Sequence, residues 1–155
     1  MTASTDRLRP AEPCLFCQVV DGSRPSVKVF EDETSVAFLD HRPLFPGHVL
    51  LVPREHHETL AELPEALIEP LFGNAQHLAR AVEVAMAAEG TLVALNNRVS
   101  QSVPHLHVHV VPRRRKDGLK GFFWPRQKYD GADAMESVGQ AIRTALKGLP
   151  ARPRS

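Results

Sequence analysis

Cysteine is nearly absent from this chain: Cys14 and Cys17 are the only two thiols in 155 residues. That excludes a disulfide scaffold, which would need several bridges. In a reducing compartment the pair reads as a metal site or as plain reduced thiols. No apolar run approaches the roughly 20 residues needed to cross a bilayer. The start, MTASTDRLRPAEP, lacks the hydrophobic core of a secretory signal. The expectation is a cytoplasmic protein that does not use a membrane. Neither sign of charge dominates, with 19 Lys and Arg against 18 Asp and Glu, a formal net charge of +1. A dedicated nucleic-acid binder would be far more basic, so no nucleic-acid partner is expected. Repeats and low-complexity tracts are missing too. What remains, 43% hydrophobic and 24% charged, is ordinary for one globular domain with a real core. Thirteen prolines against nine glycines point to many sharp chain reversals.

The chain divides into a polar, mobile tail over 1–13, a single domain over 14–148 and a frayed end over 149–155. CLFCQVVDG reads as a short helical turn ending at Gly22. SVKVFED and SVAFLD are β-branched runs joined by a charged turn, EDET. RPLFPG is a stiff loop and HVLLVPR a buried strand. A long helix begins near Pro64, a residue tolerated in a first turn. Leu67, Leu71, Ala75, Leu78, Val82 and Met86 step by three or four and form one buried stripe. Pro70 lies inside that stripe and predicts a kink or a restart, and Gly90 predicts the helix end. TLVALNN is a further strand, and DAMESVGQAIRTALKGL is a final amphipathic helix. This order, without βαβ alternation, predicts an antiparallel α+β domain.

PHLHVHVVPR, residues 104–113, sets His105, His107 and His109 at every second position. In a strand they share one face, while Leu106, Val108 and Val110 point into a core. Such a row is either a metal array or a catalytic array. Two strand histidines can bind zinc with a third ligand from elsewhere. Yet this strand carries no acid, and Asp117 lies beyond a basic run. A neutral imidazole can instead attack a phosphorus or acyl centre, beside donors suited to phosphate. Asn96, Asn97, Arg98, Ser100, Gln101 and Ser102 immediately precede the strand. The local chemistry leans toward phosphate.

HLHVHVV resembles the signature of the histidine-triad (HIT) family, His-φ-His-φ-His-φ-φ with φ apolar. CLFCQVVDGSRPSVKVFEDETSVAFLD, RPLFPGHVLLVPREHH and QSVPHLHVHVVPR are similar to the family's N-terminal half, central strand and catalytic strand. The resemblance covers most of residues 14–125. It implies a homodimer of α+β protomers, each with a five-stranded antiparallel sheet that extends across the dimer, one long helix and one C-terminal helix. It implies nucleotidyl hydrolase or transferase activity on a small nucleotide, either a dinucleoside polyphosphate or a nucleoside phosphoramidate.

By the same resemblance, His107 attacks the α-phosphate and forms a covalent nucleotidyl-histidine that water resolves. His109 holds the phosphate oxygens. Gln101 and Ser102 lie near the phosphate and leaving group. Asp40 holds the ribose hydroxyls, because a carboxylate can accept from both. Asn96 lines the phosphate site, with Asn97 its nearest competitor. Phe16, Val19, Phe38 and Leu39 form the base slot, and His48 supports the triad from the neighbouring strand. Cys14, Cys17, His56 and His105 match a four-ligand zinc site that bacterial members carry, with His57 one residue out of register. A closed four-ligand site is structural, so no cofactor is required for catalysis.

The chain departs from the family pattern at NNRVSQ, where a longer loop with glycine before the Gln is usual; Ser100 stands in the glycine's place. Phe122, Phe123 and Trp124 are adjacent aromatics of a kind that anchors interfaces or lines pockets. Two other functions compete: a nucleotide-binding protein without catalysis, and a zinc-dependent hydrolase that uses all three histidines as ligands.

Overall fold

The computed structural model describes residues 13–119 and 127–150. The tail expected over 1–13, all but its last residue, lies outside these, as do 151–155 and the aromatic residues at 122–124. The elements in order are α1 (Leu15–Asp21), β1 (Lys28–Glu31), β2 (Ser35–Leu39), β3 (Val49–Pro53), a 3₁₀ turn (Leu60–Glu62), α2 (Glu65–Met86), β4 (Gly90–Ala94), β5 (Val108–Arg113) and α3 (Ala132–Gly148). The described residues up to Asp117 form one compact unit, and those from Gly118 onward form a second. The second unit contains α3. Its Met135, Val138, Ile142 and Leu146 recur at helical spacing. Asp133 in its first turn and Lys147 in its last complement the helix dipole.

The first unit is built on a five-stranded sheet in the order β1-β2-β3-β5-β4, antiparallel throughout. The middle strands are buried on both faces, so they read as continuous apolar runs. On one face Ala37, Val49, Leu51, Leu106, Val108 and Val110 pack under Leu71, Ala75, Leu78 and Val82 of α2. On the other, Val36, Phe38, Leu50 and Val52 pack under Phe16 and Val19 of α1. Leu67 and Met86 complete the expected α2 stripe as partly buried residues.

Four local expectations need correction. The restart expected at Pro70 does not occur, since α2 is one helix from Glu65 to Met86. Pro70 lacks only the donor to the Ala66 carbonyl, and the buried stripe that follows holds the helix down. Pro64 is the N-cap residue rather than part of the first turn. The helix ends at Met86, not at Gly90. Ala87 takes the left-handed conformation (φ 48°), and the Ala88 N–H bonds back to the Glu83 carbonyl at 2.9 Å. Gly90 opens β4 opposite Arg113. The histidine strand is also shorter than 104–113. β4 ends at Ala94, opposite His109, so 104–107 have no ladder partner on that side. Instead the Leu106 N–H bonds to the His57 carbonyl at 2.6 Å. The alternation of faces survives this: Leu106, Val108 and Val110 are fully buried in the α2 core.

The β1–β2 turn is tied to α2 by one carboxylate. Asp32 Oδ1 accepts from the backbone N–H groups of Thr34 and Ser35, both at 2.8 Å, and Oδ2 accepts from Asn74 Nδ2 at 2.7 Å. Burial alone would raise this carboxyl; the hydrogen bonds from Asn74, Thr34 and Ser35 outweigh it and bring it to about 2. Replacing Asp32 by Ala therefore costs about 2 kcal/mol, the range for hydrogen bonds to a charged group. The folded-state value lies below the ordinary 3.8, so the contribution is full above 3.8 and is lost as pH falls through about 2. Urea denaturation of wild type and Asp32→Ala across that range checks this: the two curves converge in acid.

Candidate active site

A cavity of about 670 Å³ opens on the α1 side of the sheet. That volume lies in the range of small-ligand sites. Its apolar part includes Phe16, Val19, Phe38 and Leu39, and Asp40, Ser102, His107 and His109 supply polar groups. The Phe16 ring meets Phe38 at 5.4 Å and His107 at 5.1 Å, both edge-on. Phe16 thus belongs at once to the core, the cavity wall and the support of the central histidine.

His107 is buried at 2% exposure, and its Nδ1 lies 2.8 Å from the His105 carbonyl. A carbonyl only accepts, so Nδ1 carries the hydrogen. Burial lowers the His107 pKa, which favours the neutral ring. A neutral ring with its hydrogen on Nδ1 has a free lone pair on Nε2. This is the electronic state of a nucleophile or a general base. His109 faces the same cavity, with its ring centroid 4.9 Å from that of His107. Burial first, then the neighbouring His107 and His48, pushes its pKa down to about 4.

His109 pairs with Leu50 across the β5–β3 ladder, which puts it on the α1 face of the sheet. Behind it stands His48, buried just before β3, with Nε2 3.0 Å from His109 Nδ1. His48 is outside the cavity wall; it touches the wall through His109.

The loop before β5 places its residues differently from one another. Ser102 reaches the cavity, while Asn96 and Gln101 do not line it. Gln101 Oε1 accepts from the Arg98 N–H at 2.8 Å, and its Nε2 donates to the Glu58 carbonyl at 2.6 Å. Asn96 donates to the Ser100 carbonyl at 3.3 Å, and Asn97 Oδ1 accepts from the Leu60 N–H at 2.9 Å. These amides brace the loop. Arg98 (φ 66°) and Ser100 (φ 62°) both lie in the left-handed region, where glycine is the easy choice.

Arg24, Pro25, Ser26, Val27 and His41 also line the cavity. Sequence reasoning missed them. They follow α1 or β2 in loops without periodicity, and no spacing signal marks them.

The second cluster lies at the N-terminus of α1. Cys14 Sγ is 3.4 Å from His105 Nδ1, Cys17 Sγ is 3.3 Å from His56 Nδ1, and Cys17 Sγ is 3.5 Å from His105 Nδ1. All four ligand atoms lie within 4.8 Å of one another. A tetrahedral zinc, with sulfur near 2.3 Å and nitrogen near 2.0 Å, has S···N edges of about 3.5 Å. The donor set and its spacing fit that ion. His105 Nε2 donates to the Pro53 carbonyl at 2.9 Å, an outer contact that orients a metal-binding imidazole. Burial, followed by Cys14, raises the Cys17 thiol to about 11 without a cation to hold it as thiolate. His57 pairs with Glu55 instead.

The fold and site define a histidine-triad protein, and comparison with known proteins agrees. A family profile for the HIT domain matches residues 21–116. The chain belongs to the HIT family. Adenosine 5'-monophosphoramidase HNT1 of Saccharomyces cerevisiae is 33% identical over 139 residues, covering 87% of this chain and 84% of that one. The crystal structure of SMU.412c from Streptococcus mutans superposes with a TM-score of 0.77 at 33% identity, covering 97% of this chain and 94% of that one. A Zn-bound histidine triad family protein from Mycobacterium smegmatis superposes at 0.66 and 31% identity, covering 88% and 98%. Among the described residues, no helix is long and apolar enough to cross a membrane.

Imidazole NMR signals tracked against pH test the state of His109. Its ring stays neutral through the ordinary 6.5 and protonates only near 4. The folded value lies below the ordinary one, so its contribution to stability is full above 6.5 and is lost as pH falls toward 4. A midpoint for His109 near the ordinary value would contradict this.

Proposed function

We propose that this protein is a nucleotidyl hydrolase or transferase that attacks the α-phosphate of a small nucleotide through His107. The observation that carries the reading is the His107 Nδ1–H···O=C bond to His105 at 2.8 Å, which leaves Nε2 with a lone pair beside the cavity. Nε2 forms a bond to the α-phosphorus, and the P–O or P–N bond to the leaving group breaks. The leaving group departs with the electron pair and takes up a proton. Water then attacks the nucleotidyl-histidine, releasing the nucleoside monophosphate and restoring the imidazole. His109, its ring centroid 4.9 Å from that of His107, and Ser102 offer hydrogen-bonding groups to the same cavity. Asp40 suits the ribose hydroxyls, and the slot of Phe16, Val19, Phe38 and Leu39 suits a base. The substrate class is dinucleoside polyphosphates or nucleoside phosphoramidates. The activity for which the yeast relative is named supports the latter.

Cys14, Cys17, His56 and His105 would hold a structural zinc, pinning the start of α1 to the approach to β5. The S···N spacings support it, as does the Zn-bound relative. All four ligands belong to the protein, so no position is left for substrate. The chain would also act as a homodimer, with its sheet continued across the open edge of β4. Val93 on that edge strand is an exposed apolar residue, as are Phe72 and Val84 on α2.

One set of measurements tests zinc and nucleophile together. Protein as purified contains about one zinc per chain by elemental analysis. Incubation with an adenosine phosphoramidate gives an adenylyl adduct by mass spectrometry. His107→Gly abolishes the adduct and lowers kcat/KM by on the order of 10⁶-fold, the scale for loss of a nucleophile. Brief chelation removes the ion and leaves the adduct intact. Turnover that stops the moment zinc leaves would favour a zinc-dependent hydrolase. Nucleotide binding with no turnover would favour a binding protein.

Sedimentation equilibrium reports twice the chain mass, and Val93→Lys on β4 shifts it toward the single-chain value. A monomeric wild type would exclude the extended sheet.

A further inference from the structure

One short segment spans the base slot from wall to wall. Arg24, Pro25, Ser26 and Val27 follow α1, and all four line the cavity. At one end the Arg24 N–H bonds to the Gln18 carbonyl of α1 at 3.1 Å, next to Val19. At the other the Val27 carbonyl accepts from the Leu39 N–H of β2 at 2.9 Å. The turn that delivers the segment is fixed too. Gly22 caps α1 in the left-handed conformation (φ 82°), and the Ser23 N–H bonds to Asp21 Oδ1 at 2.8 Å. Pro25 holds its own φ and confines Arg24 to extended backbone. The Cα of Arg24 is thus held in place before any ligand arrives.

The polar side chains of the cavity divide by position. Ser102, His107 and His109 belong to the phosphate end, and Asp40 to the ribose. Arg24, Ser26 and His41 remain. A hydroxyl and a neutral imidazole can each donate and accept, so Ser26 and His41 suit any base. Arg24 differs. Its guanidinium carries five N–H donors, has no acceptor and stays charged. Among the described residues, no hydrogen bond or ion pair engages that guanidinium. The two nearest carboxylates in sequence are spoken for: Asp21 accepts from Ser23, and Asp40 Oδ1 accepts from the Arg42 N–H at 2.8 Å.

The place of Arg24 points to the base and away from the phosphate. Phe16 meets the His107 ring from the first turn of α1, while Arg24 follows the C-terminal end of that helix and is tied beside Val19. A donor-only group there distinguishes purines. Guanine presents two neighbouring acceptors, N7 and O6, which match the guanidinium fork. Adenine presents N7 beside an N6 amino group, which sets N–H against N–H.

We propose that Arg24 is a specificity-determining residue that selects guanine, through the N7 and O6 edge, as the base of the nucleotide that this cavity takes. This deepens the nucleotidyl-transfer reading, and rests on it for the base slot and the reaction. The apolar walls of Phe16, Val19, Phe38 and Leu39 hold a base by its faces without regard to identity. Arg24 supplies the edge contact that the walls cannot.

Steady-state kinetics with the 5′-phosphoramidates of guanosine, inosine and adenosine test this. Inosine keeps N7 and O6 but lacks the 2-amino group, so it isolates the edge in question. In wild type, kcat/KM for guanosine exceeds that for adenosine by about tenfold, the lower part of the range for a bidentate contact because Arg24 is exposed. Inosine follows guanosine. In Arg24→Leu the guanosine-to-adenosine ratio falls to about one. Equal values in wild type, a preference for adenosine, or inosine grouping with adenosine overturns the proposal. So does a ratio that Arg24→Leu leaves unchanged. A wild type without base preference whose three substrates all weaken equally in Arg24→Leu assigns the residue to the phosphate or the fold, and also overturns it. Calorimetric Kd values for GMP, IMP and AMP separate the inference from the reaction on which it rests. If no phosphoramidate is turned over, yet GMP and IMP bind about tenfold more tightly than AMP and Arg24→Leu removes the difference, the selection stands and the nucleotidyl-transfer reading falls. Should Arg24→Leu fail to fold, the wild-type order of the three bases still decides it.

Discussion

His105 makes three commitments with one residue, and both chemical clusters hang on them. Its Nε2 donates to the Pro53 carbonyl, its Nδ1 faces the thiols of Cys14 and Cys17, and its own carbonyl accepts from His107. The residue is fully buried, so each of these contacts lies where an unpaired polar group is costly. A shift of the ring moves the thiol cluster, and a shift of the backbone moves the acceptor that sets the His107 tautomer. The cluster and the nucleophile are therefore not two sites that happen to be close. They share a residue, and the stiffness of one is passed to the other through a single peptide.

That arrangement depends on burial of the sheet from both sides. Leu106, Val108 and Val110 are held beneath α2, which forces the odd-numbered neighbours to the opposite face. On that face α1 brings Phe16 against both His105 and His107. A one-residue slip of β5 would put three imidazoles into the α2 core and three aliphatic side chains into the cavity. The register is thus specified by two cores at once.

What could be read before the fold was known follows from periodicity and from side-chain identity. The α2 stripe, the alternation through 105–110 and the spacing of Cys14 and Cys17 were all visible, because they are patterns of side chains. The errors arose where the backbone decided. Ala87 took the left-handed cap expected of Gly90, and Pro70 cost one hydrogen bond that the core could absorb. Val108 starts β5 because the ladder with β3 begins at its pair with Leu51, and β4 stops one residue short of it. Gln101 and Asn96 carry the right chemistry for phosphate, yet their amides are bonded within the loop and to the Glu58 carbonyl.

The loop 96–101 shows what a short connection demands. Two non-glycine residues, Arg98 and Ser100, are held in the left-handed region, at a cost of roughly 1 kcal/mol or more each. Something must hold them there, and the hydrogen bonds of Asn96 and Gln101 are placed to do so. An amide committed to holding a strained loop cannot also turn toward a phosphate without releasing it. Ser102, at the end of the loop, is left to reach the cavity. Of this loop's polar side chains Ser102 is the one that faces an anion there, beside His107 and His109, while Arg24 and His41 reach the same cavity from other loops.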